Sequence, residues 1–195
     1  MATSEPLVIA IAGPNGAGKS TLAPFLLRNR FGLTEYVNAD TIALGLSAFR
    51  PEGAAFEAAR VMLTRLRALA EAGSDFAFET TLATRSYARW VSSLKRRGYS
   101  FHLIFLWLRS PELALGRVRN RVLSGGHDIP EAVVRRRYVR GVRNFFDSYQ
   151  SLADSWVVYD NSVSGDAVKI AVGEGVFVKK LLEESLWEEF KGVAA

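Results

Sequence analysis

Eight residues, Gly13-Pro14-Asn15-Gly16-Ala17-Gly18-Lys19-Ser20, satisfy the pattern G-x-x-x-x-G-K-[ST] in full, and Thr21 follows directly. The chemistry this spacing serves is phosphate binding. Glycines let backbone N–H groups turn inward around an anion, and a lysine at the seventh position brings a point charge to the β- and γ-phosphates. The Ser20 hydroxyl can ligate Mg2+, and a helix opening at this point adds partial positive charge from its N-terminus. Gly13 through Thr21 are therefore the expected nucleotide contacts, and Ser20 is a candidate metal ligand. A glycine-rich turn with no ligand is the bland alternative, but strand, complete motif and helix occur here together.

The flanking pattern fits. Leu7 to Ala12 reads as a buried parallel strand, and Ser20 to Arg30 as the helix after the loop. Glu35 to Asn38 reads as a short second strand, with Ala39-Asp40-Thr41 at its carboxyl end. Glu52 to Glu71 is a long helical pattern, with Phe56, Val61, Leu63, Leu66 and Leu69 as candidate core residues. Phe76-Ala77-Phe78 is a third strand ending in Glu79-Thr80-Thr81. Arg85 to Arg97 is helical, and Phe101 to Leu108, the most apolar run, should be a central buried strand. Helices follow over Pro111 to Leu123 and Glu131 to Leu152, then a fifth strand, Trp156 to Tyr159, ending in Asp160-Asn161-Ser162. Val168 to Val178 reads as a hairpin and Lys179 to Phe190 as a final amphipathic helix. Strands alternating with helices predict an α/β fold, a five-stranded parallel sheet covered on both faces.

In such a sheet, ligands bind beyond the carboxyl ends of the strands. Polar residues gather there: the glycine loop, Asp40, Glu79 with Thr81, and Asp160-Asn161. The strand Phe101 to Leu108 ends in Arg109 rather than an acid, so Asp40 and Glu79 are the carboxylates left to serve the chemistry. Phosphoryl transfer to a hydroxyl needs a base at the acceptor, a role assigned to Asp40, and Glu79 is assigned to Mg2+ or to acceptor orientation. In isolation Asp40 could equally cap a helix through Thr41. Asp40, Glu79, Thr81 and Arg85 are the expected acceptor contacts, and Asn161 an additional nucleotide contact.

Charge is unevenly distributed. Between Arg109 and Arg143 nine arginines face three acids, an excess of six that exceeds the +5 of the whole chain. Arg117 and Arg121 share a helical face, as do Arg136, Arg140 and Arg143. Two basic helices around Gly125-Gly126-His127 suit a lid over a triphosphate, roughly residues 111–145, whose arginines neutralise the transferred phosphoryl. Leu123-Ser124-Gly125-Gly126 imitates a transporter-ATPase signature, but a basic helix follows it instead of an acidic strand end. No N-K-x-D run favours guanine. His102, within an apolar strand, is expected in the core.

With 195 residues, no cysteine and no apolar run long enough to span a bilayer, the chain reads as one soluble, cytoplasmic domain without membrane contact. Residues 166–192 form its C-terminal hairpin and helix.

Taken together, GPNGAGKST, VNAD, FETTL, SGGHDIP…RRRY and YDNS resemble the zeta-toxin-like P-loop kinases, in particular their small stand-alone group often labelled predicted ABC-type ATPases. The resemblance spans Leu7 to Ser162. It implies an adenylate-kinase-like fold with an arginine-rich lid, ATP and Mg2+, and transfer of the γ-phosphate to a small-molecule hydroxyl on a nucleotide-sugar or nucleotide-like acceptor. It maps the catalytic set to Lys19, Asp40, Arg121 and Arg136 or Arg137, and it allows an antitoxin-like protein partner. An ABC-type ATPase without a phosphorylated acceptor and a polynucleotide kinase are the alternatives; nucleic acid is not the expected partner.

Overall fold

The computed structural model describes residues 5–126 and 128–194; His127, at the expected lid turn, lies outside them. Strand β1 (Leu7–Ala12) occupies the middle of the sheet, and its side chains alternate between two cores. Val8, Ala10 and Ala12 enter one, Ile9 and Ile11 the other. Helix α1 (Lys19–Phe31) leads to β2 (Tyr36–Val37), α2 (Ala39–Leu46) and, after a 3-10 turn, α3 (Ala55–Glu71). Strand β3 (Phe76–Thr80) and helix α4 (Ser86–Lys95) precede β4 (Ser100–Trp107). Next come α5 (Pro111–Leu123), α6 (Glu131–Asn144) and β5 (Ser155–Asp160), then β6 (Val168–Glu174), β7 (Phe177–Leu181) and α7 (Glu184–Gly192).

The sheet has seven strands in the order β2-β3-β1-β4-β5-β6-β7. The expectation of a five-stranded parallel sheet holds for the first five and is corrected by the last two, which pair antiparallel and extend the sheet beyond β5. A tight turn at Gly175 folds β7 back on β6. Lys179 to Leu181 therefore belong to a strand, and the final helix begins only at Glu184. Helices α3, α4 and α7 cover one face, and α1, α5 and α6 the other. No helix among the described residues is long and apolar enough to cross a membrane.

On α3 the expected core was partly out of phase. Ala58, Met62, Leu66 and Leu69 recur at i+4, i+4 and i+3 and form the buried stripe. Phe56 is 79% exposed whereas Met62 is 2% exposed; Val61 and Leu63 also face outward. The single helix expected over Glu131 to Leu152 instead changes winding. After Asn144 it opens into a π-helical stretch, Phe145–Tyr149, and closes in a 3-10 turn. There Phe145 is wedged against Phe105, Trp156 and Phe190. Just upstream, a Cβ on Gly141 would lie 2.4 Å from the Thr81 carbonyl oxygen, so only glycine lets α6 pack this closely on the loop after β3.

His102 is half-buried rather than a core residue. It hydrogen-bonds the Ser155 hydroxyl across neighbouring strands, and burial pushes its pKa down.

Candidate active site

The loop between β1 and α1 carries the conformation its sequence requires. Gly18 sits at the N-cap of α1 with φ 79°, and a Cβ there would meet the Asn161 amide nitrogen at 2.7 Å. That amide donates to the Ala17 carbonyl at 2.8 Å. Asn161 thus braces the loop from behind and is not among the residues lining the hollow at the P-loop. Its neighbour Asp160, 3% exposed, accepts from Arg109 Nε at 2.8 Å and from the Ser162 N–H at 2.9 Å. The polar end of β5 is a brace as well.

Lys19 is buried at the start of α1. Its ammonium donates to the Pro14 carbonyl at 2.9 Å and lies 3.5 Å from Glu79 Oε1. Burial lowers its pKa, while the carboxylates of Glu79 and Asp40 pull the other way. Glu79 ends β3, beside β1 in parallel register, which brings it to the P-loop. Its Oε2 accepts from the Ser20 hydroxyl at 2.7 Å, the Tyr36 phenol at 2.6 Å and the Asn38 amide at 2.8 Å. Burial, with the carboxylate alongside, raises the Tyr36 pKa, so the phenol remains a donor.

Asn38 is the residue that sequence reasoning passed over. Its Oδ1 caps α2, accepting from the N–H of Asp40 at 2.7 Å and of Thr41 at 3.4 Å. Its Nδ2 reaches both Glu79 and, at 3.2 Å, Ser20. One side chain thereby fixes the first turn of α2 relative to the P-loop. The cap suspected at Asp40 belongs to Asn38, leaving the Asp40 carboxylate free of that duty. Asp40 is 3.7 Å from an Arg121 guanidinium nitrogen. The signal was present in the sequence: a capping residue two positions before an acid, at the end of a short strand.

Two hollows meet here. The first, about 300 Å³, lies between the P-loop and α5 and is lined by residues 15–21 (except Ala17) together with Arg117 and Arg121. The second, about 330 Å³, lies between α2, α3 and the loop after β3 and is lined by Met62, Thr80, Thr81, Thr84, Tyr87 and Arg137. Asn15, Lys19, Asp40 and Glu79 line both. Asn15 is 7% exposed, and its side-chain oxygen has no hydrogen-bond partner among the described residues.

The expected arginines separate. Arg121 is at the first hollow, joined by Arg117, which shares its face of α5 and also donates to the carbonyls of Gly16 and Ser162. Arg137 is at the second. Arg136 is exposed and lines neither, because the face it shares with Arg140 and Arg143 is the solvent side of α6. Arg85 is also corrected: it bonds Asn144 at 3.2 Å and Asp147 at 2.9 Å, tying α4 to the end of α6. Arg135 clamps Glu112 and Glu131, pinning α6 to α5. Of the acceptor contacts expected from sequence, Asp40, Glu79 and Thr81 come together and Arg85 does not.

Residues 8–139, more than half of the chain, match the model of a family described as an AAA domain. The chain belongs to this AAA domain family. An uncharacterized protein of Haemophilus influenzae is 32% identical over 130 residues, which span 67% of this chain and 91% of that protein. Among solved structures, a chain of the AvrRxo1-ORF1:ORF2 complex with ATP superposes with a TM-score of 0.73 at 18% identity. That match covers 98% of this AAA domain chain and 65% of the other, so the chain spans about two thirds of that relative's length. A chain from the PezAT chromosomal toxin–antitoxin system of Streptococcus pneumoniae gives a TM-score of 0.65 at 16% identity, covering 99% and 87%. At these identities the likeness is one of fold: a P-loop, kinase-like α/β fold with a mixed sheet.

Proposed function

We propose that the protein is an ATP-dependent kinase of zeta-toxin-like type, transferring the γ-phosphate to a hydroxyl of a nucleotide-sugar or nucleotide-like small molecule. The observation that carries this reading is the meeting of two hollows across Lys19, Asp40 and Glu79. A P-loop that only hydrolysed ATP would have no need of a second chamber opening onto the same lysine. The ATP in the AvrRxo1 relative supports the choice of nucleotide.

The first hollow takes the triphosphate. Loop N–H groups and Lys19 hold the phosphates, Arg117 and Arg121 face them from α5, and the orphaned Asn15 oxygen has a ligand donor to meet. Arg121 offsets the charge that develops on the transferred phosphoryl. Mg2+ needs only one or two protein ligands beside phosphate and water. The Ser20 hydroxyl and the Glu79 carboxylate, 2.7 Å apart, suit that role, with no cluster of three acidic or imidazole ligands among the described residues. When bound, Mg2+ neutralises charge on the β- and γ-phosphates.

The acceptor hydroxyl lies in the second hollow. Its oxygen attacks the γ-phosphorus, forming the new O–P bond, while the bond to the β–γ bridging oxygen breaks and ADP leaves with the electron pair. The hydroxyl proton passes to the Asp40 carboxylate, which Asn38 and α2 hold at the junction. Both fold relatives belong with a second protein, in the AvrRxo1-ORF1:ORF2 complex and in the PezAT toxin–antitoxin system, and this supports an antitoxin-like partner for this chain as well.

The test is Asp40→Asn, which keeps size and polarity but removes the base. Transfer to acceptor, followed with γ-labelled ATP and a metabolite extract, is expected to fall 10²-fold or more, on the scale of general-base catalysis. Calorimetric affinity for ATP with Mg2+ should stay within about tenfold, roughly 1.4 kcal/mol. Unimpaired transfer would end the assignment of Asp40. ATP hydrolysis with no labelled acceptor in the wild type would end the kinase reading itself.

A further inference from the structure

Among the arginines of α5 and α6, Arg137 is set apart. Arg117, Arg119 and Arg135 each engage carboxylates or carbonyls, and Arg121 lies against Asp40. Arg137 is half-buried yet has no hydrogen bond or ion pair to any described residue. It lines the second hollow, away from the P-loop face that Arg117 and Arg121 line. Of the other charges lining this chamber, Lys19 stands against Glu79, and Asp40, which also faces Arg121, attracts Arg137 without a hydrogen bond or ion pair between them. Burial lowers the Arg137 pKa, and the Asp40 carboxylate pulls the other way. A cation partly withdrawn from water is costly unless an anion meets it, and a guanidinium meets carboxylate or phosphate through two parallel bonds.

The rest of the chamber is hydroxyl-rich. Thr80, Thr81, Thr84 and the Tyr87 phenol line it beside the apolar Met62. At about 330 Å³ it falls near the lower end of small-molecule sites, which suits a sugar-sized ligand.

Resting on the kinase reading above, we infer that Arg137 is a specificity-determining residue that reads an anionic group, phosphate or carboxylate, on the sugar-sized polyhydroxylated part of the acceptor that enters this chamber. Its guanidinium holds the anion within the chamber. The acceptor's hydroxyl is thereby directed to Asp40, where the two hollows join. The arginines of the α5–α6 hairpin then divide their work: those of α5 serve the nucleotide, and Arg137 of α6 serves the acceptor.

The experiment measures binding, so it stands or falls separately from turnover. Ribose 5-phosphate, ribonate and ribose are titrated calorimetrically into the protein saturated with a non-hydrolysable ATP analogue and Mg2+. Ribose 5-phosphate, ribonate or both should bind at least about tenfold tighter than ribose, and the tighter of the two identifies the anion. Arg137→Gln should abolish that preference, a loss of roughly 10- to 100-fold for the anionic probe, the scale of a hydrogen-bonded charge. Arg137→Lys should recover part of it, and Arg140→Gln, on the solvent side of the same helix, none of the loss. Affinity for the ATP analogue should not move in Arg137→Gln, and the thermal midpoint should not fall. Equal or absent binding of all three probes, or an anion preference that survives Arg137→Gln, overturns the inference. A fall in nucleotide affinity in that variant would return Arg137 to the phosphate clamp and overturn it too. A preference observed without any phosphoryl transfer would uphold the anion site and count against the kinase reading alone.

Discussion

Around Glu79, a handful of directional contacts hold the P-loop, β2 and α2 in place: Ser20, Tyr36 and Asn38 on one oxygen and Lys19 beside the other. Around Trp187, toward the other end of the chain, the side chains meet ring against ring. Its ring stacks on Trp156 with 6° between planes and 5.6 Å between centroids, and Phe190 on the same helix packs on Phe105, Trp107, Phe145 and Phe146. The first region is defined by angles and charges and tolerates little displacement. The second is defined by area and shape, and its strength comes from apolar surface withdrawn from water. Chemistry belongs to the first because its groups keep polarity that ligands can exchange for. The second can be altered without touching that polarity.

The sharpest way to break this contrast is Trp187→Ala. It should cost about 3–5 kcal/mol of unfolding free energy, as large-to-small changes of buried aromatics do. Denaturant titration measures it, and calorimetric ATP-analogue affinity should stay within about threefold. A parallel loss of affinity would show that the aromatic cap and the P-loop are one mechanical unit.

Lys19→Ala is the converse. Transfer should fall roughly 10²–10³-fold, the scale for one electrostatic stabiliser. The thermal midpoint should stay close to wild type, because Glu79 keeps three hydrogen-bond donors. Near-normal transfer in a folded Lys19→Ala protein would sink the role of the loop lysine.

The smallest expected effect is Tyr36→Phe, which removes one donor from Glu79 and leaves the ring in place. It should lower stability by about 1–2 kcal/mol and shift the Mg2+ concentration needed for half-maximal transfer, since the carboxylate is then less firmly oriented. No change in either measurement would reduce the Tyr36 contact to packing.

What the sequence made legible follows the strength of local signals. The P-loop, β1 and α5 were readable because a glycine pattern, a run of apolar residues and a Ser-Pro helix start each act within a few residues. The stripe on α3 was less so. Phe56 and Leu63 are more apolar than Ala58, but burial follows phase, and a short alanine lets the helix lie close where phenylalanine would hold it off. The hairpin over Val168 to Val178 was legible, but the rest of β7, Lys179 to Leu181, was hidden because its lysines look helical in isolation and only pairing with β6 makes it a strand. At the candidate site, Lys19 was legible from the glycine pattern, and Asp40 and Glu79 from their places at strand ends. Arg85 was misplaced because its partners Asn144 and Asp147 are some 60 positions away, and such a contact leaves no local trace. Asn38 was overlooked because its two tasks, capping a helix and steering a carboxylate, are visible only once β2 lies beside β3.

The two margins of the sheet decide how these molecules behave toward one another. An open strand edge is a template on which another chain can add strands, and long flat edges aggregate. On one side the sheet ends in β2, only two residues long and too short to template anything. On the other it ends in β7, which is exposed along its whole length and whose FVKKL sequence would invite pairing but for its two lysines. Two molecules meeting along that edge would bring Lys180 of each close to the other, while Lys179 is paired with Glu174 across the hairpin. The register shift between Val172 and Gly173 also bends the hairpin away from a flat edge. Sheet growth from chain to chain is closed off at both margins, by brevity at one and by charge and curvature at the other.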